Sequence, residues 1–220
     1  MTITRFDDRA EAGRLLAERL ASYADNPNVV VLGLPRGGVP VAFEVARGLR
    51  VPMDLFVVRK LGTPGNRELA MGAIAEGGIR VLDEELVREL AIHRGEIEAV
   101  THQETQELQR RIRAYRGKRD APNLEGKTVI LVDDGVATGS TMRAAIRAIR
   151  AHRPARLVAA VPTIARSTFR ELRTEVDELI AILTPEPFFG VGEWYADFGQ
   201  TSDAEVSALL QKASPSNRPA

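Results

Sequence analysis

The sequence predicts an α/β fold in which an open parallel sheet is covered by helices on both faces. Three observations lead to this fold class. Short apolar segments alternate with longer helical patterns along most of the chain, which is typical of parallel sheets. Most of these segments are apolar throughout, as expected for strands buried on both faces. Glycine-rich turns follow two of the apolar segments, at the carboxyl edge where parallel sheets of this class bind their ligands.

A helix is predicted first, over residues 8–24, because Leu15, Leu16, Leu20 and Tyr23 recur at helical spacing. Five core strands and three further helices follow in alternation. The predicted strands are Val29–Leu34, Met53–Arg59, Thr128–Val132, Leu157–Pro162 and Glu178–Leu183. The predicted helices between them are Val39–Leu49, Ser140–Ala151 and Arg166–Arg173.

One stretch of the chain breaks this alternation. Between Leu69 and Leu82, two short apolar runs flank the sequence Glu76-Gly77-Gly78, which predicts a β-hairpin. A polar region then runs from Asp83 to Arg116 with a thin apolar stripe. That stripe predicts a long helical region that lies on another surface.

The chain is therefore predicted to have three parts. Residues 1–184 form the core, with residues 62–122 as an insertion, and residues 185–212 form a small cap and a C-terminal helix. The tail over residues 213–220 contains Ser, Asn and Pro and is predicted to be disordered.

Composition excludes several classes of function. The 220 residues include 30 basic and 30 acidic side chains, so the overall charge gives no reason to expect a nucleic acid or a membrane as partner. The chain contains no cysteine, which rules out disulfides, thiolate metal sites and a cysteine nucleophile. Neither a signal peptide nor an apolar run of membrane-spanning length is present in the sequence. These features predict a cytoplasmic protein.

The most informative segment reads Val-Ile-Leu-Val-Asp-Asp-Gly-Val-Ala-Thr-Gly-Ser-Thr, over residues 129–141. A buried strand ends at Asp133 and Asp134, and a turn rich in hydroxyl groups leads into a helix. Backbone N–H groups at a helix N-terminus bind phosphate, and carboxylates accept hydrogen bonds from sugar hydroxyls. A ribose 5-phosphate fits this arrangement. The predicted phosphate-binding residues are Ala137, Thr138, Gly139, Ser140 and Thr141.

This segment resembles the phosphoribosyl pyrophosphate signature of the type I phosphoribosyltransferases. The shared features are a hydrophobic strand, an acidic pair, two spacer residues and a small residue before Thr-Gly-Ser-Thr. So many features in one order make the pattern specific. One departure is Gly135, since the family usually has an apolar residue directly after the acidic pair. The alternative interpretation is an ordinary strand-to-helix turn in which Asp133 or Asp134 caps the helix.

A second segment, Gly33–Pro40, follows the first core strand and opens a helix. The amides of Gly37 and Gly38 can meet an anion there, and Arg36 supplies a charged hydrogen-bonding fork. The segment resembles the family's pyrophosphate loop, which often contains a cis non-proline peptide, and the resemblance places such a bond near Arg36-Gly37. A tight turn with a solvated arginine is the alternative.

A third candidate is the pair Arg59 and Lys60, at the end of the second predicted core strand. Two cations in this position could bind pyrophosphate oxygens. The following residues, 61–68, are rich in Gly, Pro and Asn and could form a mobile lid. Several type I enzymes have basic residues and a flexible loop here. Arg67 is about as well explained as a surface residue.

The C-terminal part contains five aromatic residues between positions 185 and 198. In purine-type enzymes of the family, a segment in this position forms a hood in which an aromatic ring stacks on the nucleobase. The candidates for this contact are Phe188, Phe189, Trp194 and Tyr195, with Phe188 and Trp194 preferred. Packing of the hood onto the core is the alternative role for most of them.

The resemblance implies a Mg²⁺-dependent enzyme that transfers ribose 5-phosphate from phosphoribosyl pyrophosphate to a nitrogenous base and releases pyrophosphate. Arg36, Arg59 and Lys60 would bind pyrophosphate, while Asp133 and Asp134 would hold the ribose hydroxyls. The protein would not bind Mg²⁺ directly; the substrate pyrophosphate would carry it, with a water-mediated contact to one of the two aspartates. The family also implies a homodimer.

The acceptor base stays open at this point. Enzymes of the family that use 6-oxopurines typically have an aspartate at the position of Ala137, so that proton acceptor is missing, whereas adenine-type enzymes can have alanine there. Two other classes of function also remain: a regulatory protein that binds phosphoribosyl pyrophosphate or a nucleotide without transferring it, and a scaffold that has lost activity. A Walker-type nucleotide hydrolase is disfavoured because no lysine precedes the hydroxyl residues of the turn.

Overall fold

The computed structural model describes residues 4–117 and 119–213, except for the side chains of Arg67 and Glu68. Its centre is a five-stranded parallel sheet with the strand order β2-β1-β6-β7-β8. The strands of this sheet are β1 Val29–Gly33, β2 Met53–Leu55, β6 Thr128–Val132, β7 Arg156–Thr163 and β8 Glu178–Leu183. The predicted α/β class and parallel sheet are confirmed. Most of the predicted tail, from residue 214 on, lies outside the described residues.

Helices pack against both faces of the sheet and build two layers of apolar core. Their bounds are α1 Arg9–Arg19, α2 Gly38–Leu49, α3 Glu84–Glu89, α4 Arg94–Arg116, α5 Ser140–Ala151, α6 Arg166–Leu172 and α7 Asp203–Ala213. The helix predicted over residues 8–24 is shorter: Asp8 caps α1, and a 3-10 turn at Ala21–Tyr23 follows it. No helix among the described residues is long and apolar enough to cross a membrane.

The strand order changes direction between β1 and β6. From β1 the chain crosses to β2 on one side, and it later returns to β6 on the other side of β1. The loops after β1 and β6 therefore diverge from neighbouring carboxyl ends, where open parallel sheets form ligand crevices. Both Gly-rich segments singled out in the sequence lie at this point.

A second, three-stranded antiparallel sheet corrects the prediction for Met53–Arg59. The core strand β2 stops at Leu55, and β3 Val58–Thr63 pairs with β4 Asn66–Ala75, which pairs with β5 Ile79–Leu82. Phe56 and Val57, which connect β2 to β3, are both buried, so an unbroken apolar run hides the change of sheet. The predicted hairpin is β4–β5, and its turn is the 3-10 segment Glu76–Gly78.

The predicted helical region 83–116 is divided into α3 and α4. Ala91 adopts a left-handed conformation, with φ of +49°, and interrupts the helix. His93 then starts α4 with a capping box in which its backbone N–H donates to Glu96 Oε2 at 3.0 Å. The helix α4 lies across β3 and β4 and against α7.

A buried ion cluster joins this insertion to the core. The guanidinium of Arg116, at the end of α4, is 1% exposed and donates to Asp54 Oδ1 at 3.0 Å and to Leu55 O at 2.9 Å. It also pairs with Glu76, in the turn before β5. Because these partners belong to β2 and to the hairpin, one side chain fixes the hairpin, α4 and the core sheet relative to one another.

Replacing Arg116 with leucine is expected to destabilise the fold by about 3–5 kcal/mol, because Glu76 would be left buried without a counter-charge. Urea unfolding measures this change. The matched control is Arg110→Leu on the same helix, which removes an exposed pair with Glu107 and is expected to cost about 1 kcal/mol or less. An equal loss of unfolding free energy in the two variants would contradict the conclusion that Arg116 holds the buried ion cluster together.

Candidate active site

The turn before α5 forms an open anion site. Gly139 is the N-cap of α5 in a left-handed conformation, with φ of +77°, and no described side chain caps the helix. The first bond within the helix runs from Arg143 N to Gly139 O at 2.8 Å, so the N–H groups of residues 140–142 have no partner inside the helix. Residues 137 and 138 are exposed, which leaves these donors accessible to an anion.

Two side chains that the sequence motif does not contain fix the carbonyl groups of this turn. Thr168 Oγ1 donates to Ala137 O at 2.6 Å, and Arg143 Nη1 donates to Thr138 O at 3.0 Å. Two glutamates, in and just after α6, hold the Arg143 side chain in turn. Sequence analysis missed both residues. Thr168 carries no local signal, whereas Arg143 could have been found from its place one helical turn after the N-cap.

The loop after β1 packs directly against the acidic pair after β6. A Cβ atom on Gly37 would lie 2.0 Å from Asp134 Oδ2, and one on Gly38 would lie 2.8 Å from Asp133 Cα. Real Cβ contacts are longer than about 3.0 Å. Position 38 therefore requires glycine because a side chain would meet the backbone, and a side chain at position 37 would displace the Asp134 carboxylate. The two predicted segments therefore meet at the switch point.

Two details of this loop differ from the sequence prediction. The Gly38 N–H donates to Leu34 O at 3.0 Å, so the turn already uses an amide that was expected to meet an anion. The cis non-proline peptide joins Pro35 and Arg36, one bond earlier than the predicted Arg36-Gly37.

The acidic pair is held in an environment that disfavours its charge. Burial, together with the neighbouring Asp134, raises the pKa of Asp133 well above its ordinary value, although the Asp134 N–H donates to Asp133 Oδ1 at 2.9 Å. Burial also raises the pKa of Asp134, and this effect outweighs the opposing influence of Arg9. Hydrogen bonds from a ligand would stabilise the charged form of these two buried carboxyl groups, because hydrogen bonding to a carboxylate opposes the effect of burial on its pKa.

Arg9, in α1, ties Asp134 to the C-terminal segment. Its Nε donates to Asp134 Oδ2 at 2.8 Å, and its Nη1 donates to Gly199 O at 2.7 Å. The guanidinium carbon lies 3.9 Å from the centre of the Phe198 ring, and the Tyr195 hydroxyl donates to Asp134 O. Sequence analysis missed Arg9, since 125 positions separate it from its partner and no motif contains it.

A cleft of about 420 Å³ joins the candidate segments. Pro35 of the first loop, Arg59 and Lys60 of β3, and Thr141 of the phosphate turn all line it. The predicted lid residues, 61–68, form the end of β3, a tight turn and the start of β4, and residues 62–65 line the same cleft. The side chain of Arg67 lies outside the described residues. The helix α4 closes the cleft with Val100, Gln103, Glu104 and Arg111.

Cations around this cleft already have acidic partners. Arg59 pairs with Glu104 of α4 at 2.5 Å, and Arg36 lies 3.7 Å from Asp203 of α7. Arg111, which the sequence analysis missed, pairs with Glu107 one helical turn before it, at 2.8 Å. Arg59 and Lys60 lie on β3 of the antiparallel sheet, which corrects their predicted place at the end of a core strand. A bound polyanion would compete with the carboxylates for these cations.

The candidate aromatic residues of the hood separate into three groups. Phe188 and Trp194 stack on each other, with ring centres 6.2 Å apart. Tyr195 is buried, at 1% exposure, and packs on Phe6; its ring therefore belongs to the core, which corrects its candidacy for base stacking. Phe189 is 81% exposed.

Comparisons with known proteins show which family the chain resembles. A family model described as a phosphoribosyl transferase domain matches residues 4–194. A protein provisionally named a phosphoribosyl transferase in two strains of Mycobacterium tuberculosis is 49% identical over 208 residues, which are 94% of this chain and 47% of that protein. The chain thus spans about half the length of these curated relatives. The crystal structure of TT1426 from Thermus thermophilus is 42% identical, has a TM-score of 0.87 and covers 95% of this chain and 99% of its own.

Replacing Thr168 with valine is expected to weaken ribose 5-phosphate binding about tenfold, because loss of a hydrogen bond of about 1–1.5 kcal/mol frees the Ala137 carbonyl. Calorimetric titration measures the affinity. Thr174→Val is the matched control, since Thr174 makes a similar bond to Glu171 O at 2.8 Å on the exposed side of the same region. A Thr168 variant that binds like the control would remove Thr168 from the site.

Replacing Asp133 with asparagine is expected to raise the melting temperature at pH 8 by about 2–4 °C, the shift that about 1 kcal/mol produces in a chain of this size. The folded state raises the pKa of Asp133, so ionisation costs wild-type stability as pH rises above the ordinary carboxyl value. The gain should vanish near pH 4. Thermal melts across this pH range test the sign.

The control for this effect is Asp177→Asn. Hydrogen bonding to Arg150 lowers the pKa of Asp177, so this carboxylate stabilises the fold above its ordinary pKa and loses that effect as pH falls. The Asp177 variant should therefore be less stable than wild type at pH 8. Destabilisation by both variants at pH 8 would show that Asp133 is not strained.

Proposed function

The chain belongs to the phosphoribosyl transferase domain family, and from this premise we propose that it transfers ribose 5-phosphate from phosphoribosyl pyrophosphate to a nitrogen nucleophile. The bond from C1 of ribose to the pyrophosphate oxygen breaks, and pyrophosphate leaves with the bonding electrons. A bond from C1 to nitrogen forms, and the nitrogen loses a proton to solvent. An oxocarbenium-like transition state is expected by analogy with glycoside cleavage.

One observation carries this proposal: the uncapped N-terminus of α5 lies beside a buried acidic pair and a cation-lined cleft. The turn at 137–141 would bind the 5-phosphate through backbone N–H groups and the hydroxyls of Thr138, Ser140 and Thr141. Fixed donors of this kind hold the sugar without reorganising during the reaction. Thr168 and Arg143 would serve by keeping the turn in shape.

The acidic pair would bind the ribose hydroxyls. Asp133 has no cation as a direct partner in the contacts described here, and its oxygen already accepts the Asp134 N–H. Asp134 is held by Arg9, and its side chain is 14% exposed. We assign the first contact with the diol to Asp133, with Asp134 accepting a second hydrogen bond while Arg9 holds its carboxyl group in place. Arg9 is then a positioning residue and does not touch the sugar.

Pyrophosphate would occupy the cleft between the first loop, β3 and α4. Arg36, Arg59 and Lys60 would bind its oxygens, with Arg59 exchanging Glu104 for the ligand. Charge builds on pyrophosphate as its bond to C1 breaks, so cations fixed at this place lower the barrier. The loop between β3 and β4 would limit access of water to the activated sugar.

Mg²⁺ fits this donor set as an ion carried by the substrate. The ion typically binds one or two carboxylates together with substrate phosphates and waters, and Asp133 and Asp134 provide two carboxyl groups against Gly37 and Gly38, next to Arg36 in the chain. When bound, Mg²⁺ would neutralise charge on the pyrophosphate. We also propose the homodimer that the family implies, which sedimentation velocity can test.

The direct test is to incubate the protein with phosphoribosyl pyrophosphate, Mg²⁺ and a panel of nucleobases and small amines. Pyrophosphate release should depend on the acceptor and should accompany a new nucleotide mass. Release without any acceptor would instead indicate hydrolysis. Binding without release for the whole panel would favour a regulatory protein that only binds the ligand.

A matched pair of variants sharpens this test. Arg59→Gln is expected to lower the rate about 100-fold or more, since it removes a cation at the developing charge. Arg80→Gln changes the same residue type in the same antiparallel sheet, where Arg80 also pairs with α4, through Glu98 at 3.0 Å. It should keep the wild-type rate, and equal losses in both variants would contradict the assigned role of Arg59.

A further inference from the structure

The order of the strands separates the two partners of the proposed reaction. In the sheet, β6 lies between β1 and β7. The loop after β1 and the cations of the cleft therefore lie on one side of the segment 133–141, and β7 with the hood lies on the other. A nucleophile that displaces a leaving group attacks from the opposite face of the ring carbon. The acceptor should therefore arrive from the side of β7 and the hood.

On that side, Val191 of the hood contacts the chain at Gly135, between the acidic pair and the phosphate turn. A Cβ atom built on Gly135 would lie 2.5 Å from Val191 Cγ1 and 2.9 Å from Thr163 Cγ2. Both distances are too short for a real contact. Val191 thus occupies the space that a side chain at position 135 would need. This close approach explains why the chain has glycine where the family usually has an apolar residue.

The hood aromatics are also engaged within the molecule. Phe188 and Trp194 cover one face of each other, and Tyr195 lies between Phe6 and Phe198, with ring centres 5.4 and 5.1 Å away. Two segments of backbone lock this packing, because Phe6 N donates to Trp194 O at 2.9 Å and its carbonyl accepts from Ala196 N at 2.7 Å. The hood is therefore pinned to the N-terminal segment while Val191 faces Gly135.

We propose that the acceptor is a compact nitrogen nucleophile, smaller than a fused-ring purine, and that Val191 sets this size limit. The inference rests on the proposed function, because it assumes that ribose lies beside Asp133 and Asp134. A fused ring attached to C1 would have to displace Val191 and the hood packing behind it. An amine or a single small ring would not.

Calorimetric titration with two probes tests the limit without knowledge of the true acceptor. Ribose 5-phosphate carries the sugar and phosphate alone, and guanosine 5′-monophosphate adds a purine at C1. Wild-type protein should bind the nucleotide no more than about threefold more tightly than the sugar phosphate. A purine bound in a pocket would increase the affinity much more, since stacking alone is worth about 1–3 kcal/mol, or roughly 5- to 150-fold in affinity.

Val191→Ala should raise the affinity for the nucleotide relative to the sugar phosphate by about tenfold, because removing two methyl groups' worth of bulk opens the space beside Gly135. Val87→Ala, a partly buried valine of α3, is the control and should leave the ratio unchanged. The wild-type ratio needs no variant, so it decides the question even if Val191→Ala fails to fold.

The outcomes separate this inference from the function on which it rests. A wild-type preference of about fivefold or more for the nucleotide would overturn the size limit while supporting the ribose phosphate site. A Val191→Ala ratio equal to that of wild type would remove Val191 as its cause. Binding of neither probe would overturn the proposed function and the inference with it.

Discussion

The contact between the two-glycine turn after β1 and the acidic pair after β6 is the constraint on which the site depends. Gly37 lies against the Asp134 carboxylate and Gly38 against the Asp133 backbone. A side chain at position 37 would displace that carboxylate, and one at position 38 would push the two strand ends apart. The contact brings Arg36 and the cation-lined cleft next to the acids and the phosphate turn. It also shields the acids from solvent, and for this reason the pKa of each is raised.

A buried pair of carboxyl groups is costly to the fold, and the surrounding residues show how the protein sustains it. Arg9 reaches from α1 to Asp134 and to the C-terminal segment at once, while Tyr195 donates to the backbone of the same residue. Glu104 pairs with Arg59 at the cleft, and Asp203 of α7 lies beside Arg36. Most of these charged groups thus have a partner of opposite charge within the protein when no ligand is bound. Functional sites commonly break the rules of a stable fold in this way and are compensated by neighbouring residues.

Sequence patterns predicted the parts of this arrangement that are local. The apolar runs gave the core strands, and the segment 129–141 gave the acids and the uncapped helix start, because each depends on residues close together in the chain. Contacts between distant residues left no such signal: Arg9 with Asp134, Thr168 with the Ala137 carbonyl, and Val191 over Gly135. The strand predicted over 53–59 was wrong beyond Leu55 because apolar character marks burial and does not show which sheet a strand joins.

The central claim is that the start of α5 and the neighbouring acids form one site for a ribose phosphate. A crystal soaked in ribose 5-phosphate tests it most directly. The account predicts density for the phosphate within about 3 Å of the N–H groups at residues 140–142, with the sugar hydroxyls against Asp133. Phosphate density elsewhere with this turn empty, or a sugar turned away from Asp133, would contradict it.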